Sequence, residues 1–523
     1  MAPIVLTIVM PMPEWRAPVW HLPARCAAGD MNALFQYEGV WHLMQQWGDG
    51  RHGHTSVGHA VSSDLLQWER VADALVGASK HEQCFDGSAS ILNVNGSLTP
   101  VLMVDGGCGR KAPGSVACME SSGNGSQGGV VGFPTSISDP NLTSWRTVGP
   151  TLFLGCDTSA GPGPIFRSTD GELSLVAIHR AAEGRFVATD ASLTRWRMAD
   201  PSFVKRRGGG GGLWHTLPPN VPNSTGTRWP THMIQSNSDS SMATDGRPTF
   251  TLGVYTGGRF RNATAPMPVD SGGSVAYGML STEGGTGRGG TRGDGRTLHI
   301  SWLRDDATPL PPVCDTGGML TSIRDLRFDP RIGRLVELPI AEYVSLRGKM
   351  LARRATTILR AHAPPTVLAD LGTNNTSSFD AEMVFALPTA STATLGIELG
   401  FRCSTASECT DGARVNLSIG PSFAHGSGTR RNGSMVVTTP IETQHAPFVL
   451  LPAEVDADTI PVRVMSDVRS LEIFVARGRA VFSGVVVSDA AKLVAASTGG
   501  GDAVLARAGV WELRPVRRPV NRG

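Results

Sequence analysis

The sequence lacks three features that would each indicate a particular class of function. No apolar run approaches the roughly 18 residues that a membrane-spanning helix needs, so we expect no membrane span. The formal net charge of the 523 residues is only +2, which gives no electrostatic reason to expect a nucleic-acid partner. None of the eight cysteines has the spacing of metal ligands. We therefore expect neither a metal site nor a cofactor.

Residues that make turns are abundant instead. The chain contains 63 glycines and 35 prolines, and few stretches have helical periodicity, which predicts many short strands joined by turns. Segments 88–92 and 173–178 are typical of such strands. Three units end in a similar phrase, an aspartate followed by leucine and then tryptophan, at Asp64–Trp68, Asp139–Trp145 and Asp190–Trp196. The spacing of these phrases suits four-stranded propeller blades.

The asparagines and cysteines indicate a cellular compartment. Nine of the 14 asparagines begin an Asn-x-Ser/Thr triplet, the acceptor for N-glycosylation. These are Asn95, Asn124, Asn141, Asn223, Asn262, Asn374, Asn375, Asn416 and Asn432. Eight cysteines form an even set that is compatible with disulfides. We therefore expect a glycoprotein of the secretory pathway, secreted, vacuolar or extracellular, that carries N-glycans.

The segment near the N-terminus predicts a β-hairpin beside a single carboxylate. Residues 34–37 and 40–46 have the pattern of two strands, and Glu38-Gly39 is the two-residue turn between them. Asp30 stands just before the first strand. A carboxylate in that place either caps a turn or serves as a catalytic or ligand-binding group. The local pattern leaves both readings open.

The same segment resembles the opening signature of glycoside hydrolase family 32, the invertases and fructan hydrolases. That signature runs Asn-Asp-Pro-Asn-Gly and continues, after a glycine turn, into His-Leu-Phe-Tyr-Gln. Residues 29–33 here read Gly-Asp-Met-Asn-Ala, and His42-Leu43 and Gln46 are in place. The aspartate and the second asparagine are kept, whereas the first asparagine, the proline and the glycine are not.

Further segments extend the resemblance over about residues 20–520. Residues 58–68 are similar to the family's Gly-His-Ala-Val-Ser-x-Asp-Leu-x-x-Trp, residues 85–88 to its Phe-Ser-Gly-Ser, and residues 300–303 to its Trp-Gly-Trp-Ile. Residues 462–487 resemble its sandwich signature, Asp-x-Ser-x-x-Glu-Ile-Phe-Val followed by Gly-Arg-Ala-Val. The resemblance implies an all-β fold, a five-bladed β-propeller followed by a C-terminal β-sandwich. The implied domains are a propeller at 20–340, a linker at 341–347 and a sandwich at 348–520.

A retaining glycosidase needs one carboxylate as nucleophile and a second group as general acid. The resemblance implies that Asp30 is the nucleophile. The family's acid is the glutamate of a Trp-Glu-Cys-Pro phrase, and the best match here, residues 213–218, puts His215 in its place. No glutamate lies between Glu183 and Glu283, so no small shift of the alignment restores one. We consider His215 as a replacement acid.

The third acidic group of the family, in an Arg-Asp-Pro phrase, has two candidate positions. Chain order favours residues 160–162, where Gly161 replaces the aspartate, and makes Asp200 a turn residue. The local phrase around Asp200 is the other candidate. Asp86 stands where the family has a serine. It is interpreted either as a substitute for a lost hydroxyl ligand, as a second catalytic carboxylate, or as a loop residue paired with arginine or with backbone N–H groups.

Four further residues match or neighbour family positions that line the fructosyl pocket. They are Asn32, Gln46, Trp47 and Phe85. As propeller core or rim residues they would need no ligand to explain them, so both interpretations stand.

Two main functions follow from the resemblance, beside a third, a diverged enzyme that acts on another glycoside with Asp86 and Asp30. The first is β-fructofuranosidase-type hydrolysis of sucrose or fructans by a retaining mechanism with Asp30 as nucleophile. The second is a catalytically impaired relative that acts as a carbohydrate-binding or regulatory protein. Two Arg/Gly-rich stretches, 205–212 and 284–296, are interpreted as surface loops rather than RNA-binding tracts because each is short.

Overall fold

The chain is described from a computed structural model. It covers residues 28–516 except 49–54, 77–83, 107–128, 152–161, 169–170, 180–181, 205–211, 217–231, 238–247, 257–258, 263, 265–266, 283–295, 305–317, 372–377, 389–393, 404–411, 426–427, 441, 452–457, 468, 487–491 and 499–500. Most of both Arg/Gly-rich stretches therefore lies outside the described residues.

The first part of the chain forms five successive groups of antiparallel strands, the blades of a β-propeller. The first blade is β1 (Ala28–Tyr37), β2 (Val40–Gly48), β3 (Thr55–Ser62) and β4 (Glu69–Arg70). The second is β5 (Cys84–Val94), β6 (Ser97–Gly106), β7 (Gly129–Pro134) and β8 (Trp145–Thr151). The third is β9 (Phe166–Arg167), β10 (Leu173–His179), β11 (Ala182–Ala188) and β12 (Trp196–Val204).

The last two blades contain five strands each. The fourth is β13 (Gly212–Thr216), β14 (His232–Asn237), β15 (Pro248–Thr256), β16 (Arg259–Asn262) and β17 (Met267–Pro268). The fifth is β18 (Val275–Thr282), β19 (Thr297–Arg304), β20 (Gly318–Leu320), β21 (Arg324–Asp329) and β22 (Arg334–Pro339). The all-β class and the propeller predicted from the sequence are confirmed.

A parallel strand pair joins the first and the last blade. Strand β1 pairs with β18 at Leu34↔Ser281 and Phe35↔Thr282, so blades one and five form one continuous nine-stranded sheet. Leu34 and Phe35 are fully buried at this seam. The hairpin predicted at 38–39 is also present, with Glu38 at φ 47° and Gly39 at φ 81°, both positive as a tight two-residue turn requires.

Apolar side chains fill the seams between neighbouring blades. Between blades one and two, the core includes Phe35, Val57, Leu102 and Val104. Separate cores of the same kind lie between blades two and three and between blades four and five. Because each blade buries one face against the next, the blades stabilise one another by the hydrophobic effect.

The repeated aspartate–leucine–tryptophan phrase puts a leucine in the left-handed conformation in three blades, at Leu65, Leu142 and Leu193. Asp190, for example, accepts hydrogen bonds from the backbone N–H and the hydroxyl of Thr194, at 2.9 and 2.7 Å. The leucine that follows is buried in a left-handed conformation, with φ of 59° at Leu193, and Trp196 Nε1 donates to its carbonyl at 2.8 Å. A left-handed leucine is strained, and the aspartate cap and the burial offset that cost.

A β-sandwich follows a short 3-10 helix at Ala341–Leu346. One sheet consists of β23 (Arg347–Arg354), β24 (Thr357–Leu359), β26 (Phe379–Ala386), β31 (Thr459–Ser466), β32 (Ser470–Val475), β33 (Ala480–Val485) and β35 (Ala503–Leu513). The other consists of β25 (Thr366–Asp370), β27 (Leu395–Cys403), β28 (Ala413–His425), β29 (Gly428–Thr438), β30 (Thr443–Leu450) and β34 (Lys492–Ser497). Their inner faces share one core of leucine, isoleucine, valine and phenylalanine. The sandwich agrees with the prediction, and the domain boundaries drawn from the sequence stay predictions.

A buried ionic cluster connects the fifth blade to the sandwich. Arg324 on β21 donates to Asp270 at 2.6 Å, to Glu337 on β22 at 3.0 Å and to Glu472 on β32 at 2.8 Å. All four side chains are at most 2% exposed. Burial opposes the charge of Arg324, but the three carboxylates outweigh it and raise the pKa of Arg324 above its ordinary value. Glu472 belongs to the sandwich signature, so that string of residues joins the two folds.

Candidate active site

Asp30 lies in strand β1, near its beginning. The sequence analysis put it before the strand, and that detail is wrong because β1 begins at Ala28. The pairing of β1 with β2 is irregular between Ala28 and Met31 and again between Met31 and Ala33. Such bulges are frequent beside active sites because they redirect side chains. The Asp30 side chain lies outside the described residues, so its role as nucleophile stays a prediction.

Three of the predicted site residues lie on β1, β2 and β5, which adjoin, and two of them share a hydrogen bond. Gln46 on β2 donates from Nε2 to Oδ1 of Asp86 on β5 at 2.7 Å, and both side chains are half-buried. Asn32 on β1, two residues after Asp30, is fully buried. We call Asn32, Gln46 and Asp86 the polar triad.

Gly87 allows β5 to approach Asn32 closely. A Cβ atom on Gly87 would lie 2.7 Å from the Met103 carbonyl oxygen and 3.2 Å from Nδ2 of Asn32. The pairing of β5 with β6 is irregular between Cys84 and Gly87, which places Asp86 in the bulge. The glycine of the sequence phrase Phe-Asp-Gly-Ser is therefore required for space.

The hydrogen bond from Gln46 favours the role of Asp86 as a hydrogen-bond acceptor. An N–H donated to a carboxylate stabilises its ionised form, which accepts hydrogen bonds and has no proton to give. Asp86 is thus suited to accept a hydrogen bond from a hydroxyl group of a sugar. It is less suited to act as a general acid.

The remaining predicted site residues are described only in their backbones. Phe85 lies in β5, Trp47 in β2 and His215 in β13, and the side chains of all three lie outside the described residues. Strand β13 opens the fourth blade as β1 and β5 open the first two. Gly161 lies outside the described residues as well.

Asp200 is the clearest correction to the sequence analysis. It was predicted to be a turn residue after Trp196, but it lies within strand β12, opposite Arg185 of β11. Its side chain is half-buried. The local Asp-Pro phrase is therefore part of a blade strand, at a point where the pairing of β11 with β12 is irregular.

A buried histidine pair in the first blade was missed by the sequence analysis. His42 Nδ1 and His59 Nε2 lie 2.9 Å apart, and both side chains are at most 2% exposed. The ring of Phe35 stacks on His42 at a centroid distance of 4.7 Å, and Trp145 packs edge-on against His59. Since one nitrogen must donate and the other accept, the pair is stable when both rings are neutral.

Burial keeps both rings neutral over a wide pH range. Desolvation, followed by repulsion from His59, lowers the pKa of His42 to about 3. Desolvation also lowers the pKa of His59 to about 4, although the Asp139 carboxylate works in the opposite direction. Both histidines belong to matched sequence motifs, so their positions were visible, but their contact was not.

Two general findings concern the described part of the chain. No helix there is long and apolar enough to cross a membrane. The described residues also contain no group of three or more histidine, cysteine, aspartate or glutamate side chains arranged to hold a metal ion.

Comparison with known proteins begins with the first two blades. The model of the Glycosyl hydrolases family 32 N-terminal domain matches residues 22–125. A β-fructofuranosidase, insoluble isoenzyme 7, of Oryza sativa subsp. indica is 29% identical over 214 residues, 37% of this chain and 32% of that protein. The raffinose invertase of Escherichia coli is 26% identical over 358 residues, 64% of this chain and 66% of that protein. The chain thus aligns with about a third of the length of the rice relative.

Solved structures share the whole architecture at low sequence identity. The fructan 1-exohydrolase IIa of Cichorium intybus has a TM-score of 0.72 and 16% identity, over 98% of this chain and 100% of that one. The exo-inulinase of Aspergillus awamori has a TM-score of 0.68 and 18% identity, over 96% and 98%. At such identities the likeness shows the fold, a propeller with a sandwich. The match at residues 22–125 and the alignment with the raffinose invertase relate the chain to glycosyl hydrolase family 32, and the solved structures show that it shares their fold.

Proposed function

We propose that the chain binds β-fructofuranosides at the polar triad and hydrolyses them by a retaining mechanism with Asp30 as nucleophile. One observation supports this most: the family match at 22–125 spans Asp30 and the strands on which Asn32, Gln46 and Asp86 meet. Sucrose and short fructans are the proposed substrates. A variant of the fructan 1-exohydrolase IIa of Cichorium intybus, with this fold, forms a complex with 1-kestose, and a Bombyx mori β-fructofuranosidase mutant forms one with sucrose.

The proposed reaction has two steps. Asp30 attacks the anomeric carbon of the fructosyl unit, the bond to the leaving oxygen breaks, and a proton donor protonates that oxygen. Water then cleaves the fructosyl ester of Asp30 and releases fructose with retained configuration. Asp86, oriented by its hydrogen bond from Gln46, accepts a hydrogen bond from a hydroxyl group of the bound sugar during both steps.

His215 is the proposed proton donor. An ordinary histidine titrates near pH 6.5, so in a mildly acidic compartment it holds the proton that the leaving oxygen needs. A general acid contributes about 10²–10⁴-fold to the rate. His215→Gln should therefore lower kcat by about that factor for sucrose. It should lower it far less for a substrate with a better leaving group, such as a nitrophenyl fructoside, because that group needs less protonation.

The central test measures hexose release from sucrose and inulin between pH 4 and 7. Asp30→Asn, which keeps the shape of the side chain, should abolish turnover, because the amide cannot form the ester intermediate. Asp73→Asn is the matched control: Asp73 lies in the same blade, pairs with Arg70 at 2.9 Å, and is outside the triad. Turnover that survives Asp30→Asn would refute the assignment of the nucleophile.

A second function is favoured by the missing acidic groups. No glutamate lies between Glu183 and Glu283, and Gly161 stands in the favoured position of the third acidic group. A protein that kept the pocket without the chemistry would bind sugar and release no hexose. Binding at 100 times Kd stabilises a protein by about 2.7 kcal/mol, which is readily seen as a rise in melting temperature. A rise that Gln46→Ala removes, without hexose release by the wild type, would establish this second function.

The proposal includes passage through the secretory pathway to a vacuolar or extracellular destination. The nine glycosylation triplets support it. Cys84 is disulfide-bonded, which suits an oxidising compartment. Expression of the full chain in a eukaryotic host tests it, and retention of an unmodified protein in the cytosol would contradict it.

A further inference from the structure

Two of the glycosylation triplets lie on neighbouring strands of the sandwich. Asn416-Leu417-Ser418 is on β28 and Asn432-Gly433-Ser434 is on β29, and these strands pair in antiparallel register. Ser418 is directly opposite Ser434, and their hydroxyl oxygens are 2.9 Å apart. The third residues of the two triplets therefore hydrogen-bond to each other.

Alternation along β28 shows which way Asn416 points. Val415 and Leu417 are at most 1% exposed and belong to the core of the sandwich. Since successive side chains of a strand point to opposite faces, Asn416 lies on the outer face of the sheet. It is half-buried there, beside Glu398 and Val436 on the adjacent strands.

Alternation along β29 places Asn432 on the outer face of the sheet as well. A Cβ atom on Gly433 would lie 2.4 Å from the ring of Phe448, which is in the core, and Met435 is fully buried. Asn432, next to the inward-facing Gly433, is exposed. Both asparagines thus share the outer face of one sheet.

We propose that Asn416 and Asn432 are both N-glycosylated and that their glycans together cover this outer face. Ser418 lies two residues after Asn416 on β28, and Asn432 lies two residues before Ser434 on β29. Because the strands are antiparallel and Ser418 is opposite Ser434, the two steps run in the same direction along the sheet. Four residues at about 3.4 Å each give a separation of about 14 Å along the strands. Two branched oligosaccharides rooted at that distance meet over the paired serines.

The modification requires one co-reactant, a lipid-linked oligosaccharide pyrophosphate. The side-chain amide nitrogen of asparagine forms a bond to the anomeric carbon of the sugar, the bond from that carbon to the pyrophosphate oxygen breaks, and the amide loses one proton to a base. The transfer takes place on the chain before it folds, so burial of Leu417 in the folded sheet does not prevent it. The folded sheet has only to leave room for the sugars, as it does on the outer face.

This inference rests on the proposed secretory route, and the experiment separates the two. The full chain is expressed in a eukaryotic host and purified from the medium or, if it is retained, from the cells. Its glycans are removed by peptide N-glycosidase in ¹⁸O-water, which converts each occupied asparagine to labelled aspartate for mass spectrometry. We expect label at both Asn416 and Asn432. Asn95, at an exposed hairpin tip, serves as the reference triplet.

Each outcome has a definite meaning. Label at Asn95 without label at Asn416 or Asn432 overturns the inference and leaves the secretory route intact. Label at none of the three, with the protein retained in the cytosol, overturns both. Asn416→Gln and Asn432→Gln should each remove the mass of one glycan, whereas Ser418→Thr, which keeps the triplet, should not.

Discussion

The buried histidine pair predicts a specific dependence of stability on pH. His42 and His59 lie between the first two blades with pKa values lowered to about 3 and about 4, whereas a histidine in the unfolded chain titrates near 6.5. Between those values the unfolded state binds protons that the folded state does not. Stability therefore falls as the pH falls from about 6.5 toward 4.

The magnitude follows from the difference in bound protons. At pH 5 the unfolded chain has protonated both rings almost completely, and the folded chain has protonated neither to any large extent. Each proton changes the free energy of unfolding by about 1.4 kcal/mol per pH unit over that interval. From pH 7.5 to 5 each histidine contributes a loss of about 2 kcal/mol, and the pair about 4 kcal/mol.

Urea unfolding at pH 7.5 and pH 5 measures this loss directly. His42→Gln retains a polar partner for His59 and should reduce the loss by about 2 kcal/mol, because only one ring then stays neutral in the folded state. His445→Gln is the matched control, since His445 is exposed on β30. If wild type and His42→Gln lose the same stability between the two pH values, the assignment of the neutral pair is refuted.

Three further predictions concern stability at neutral pH. Arg324→Met leaves three buried carboxylates without their cation and should lower the free energy of unfolding in urea by about 3–5 kcal/mol. Arg327→Met, on the exposed side of the same strand, should lower it by about 1 kcal/mol or less. Equal losses of stability would contradict the ionic cluster. Gly478→Ala puts a Cβ atom 1.8 Å from a carbonyl oxygen of the fifth blade, so it should lower the melting temperature far more than Gly39→Ala, which has the same φ near +80° and open space around it. Asp190→Ala removes the cap of the third-blade turn and should cost about 1–2 kcal/mol by the same unfolding measurement; an unchanged midpoint would show that the leucine and tryptophan suffice.

Local patterns determined much of the fold. The hairpin at Glu38-Gly39 and the turn at Asp190–Trp196 depend on residues adjacent in the chain, because positive φ and side-chain caps are local requirements. The blade strands followed from short apolar runs between turn residues. Asp200 shows where local patterns fail. They predict a turn residue there, but pairing with β11 places Asp200 within strand β12.

The candidate site also combines residues visible in the sequence with contacts that only the fold creates. The chain by itself singled out Asn32, Gln46 and Asp86, since each stands in a recognisable motif. Only the tertiary structure decided that Gln46 and Asp86, 40 residues apart in the chain, share a hydrogen bond, because it brings β2 beside β5.

The histidine pair and the Arg324 cluster depend most on the tertiary structure. His42 and His59 are 17 residues apart and Arg324 and Glu472 are 148 apart, and no local rule relates such positions. Motif matching identified His42, His59 and Glu472 without saying what they contact. Packing of blade on blade and of sandwich on propeller gave them partners, because a buried polar group must be paired to be stable, and its partner is set by the fold.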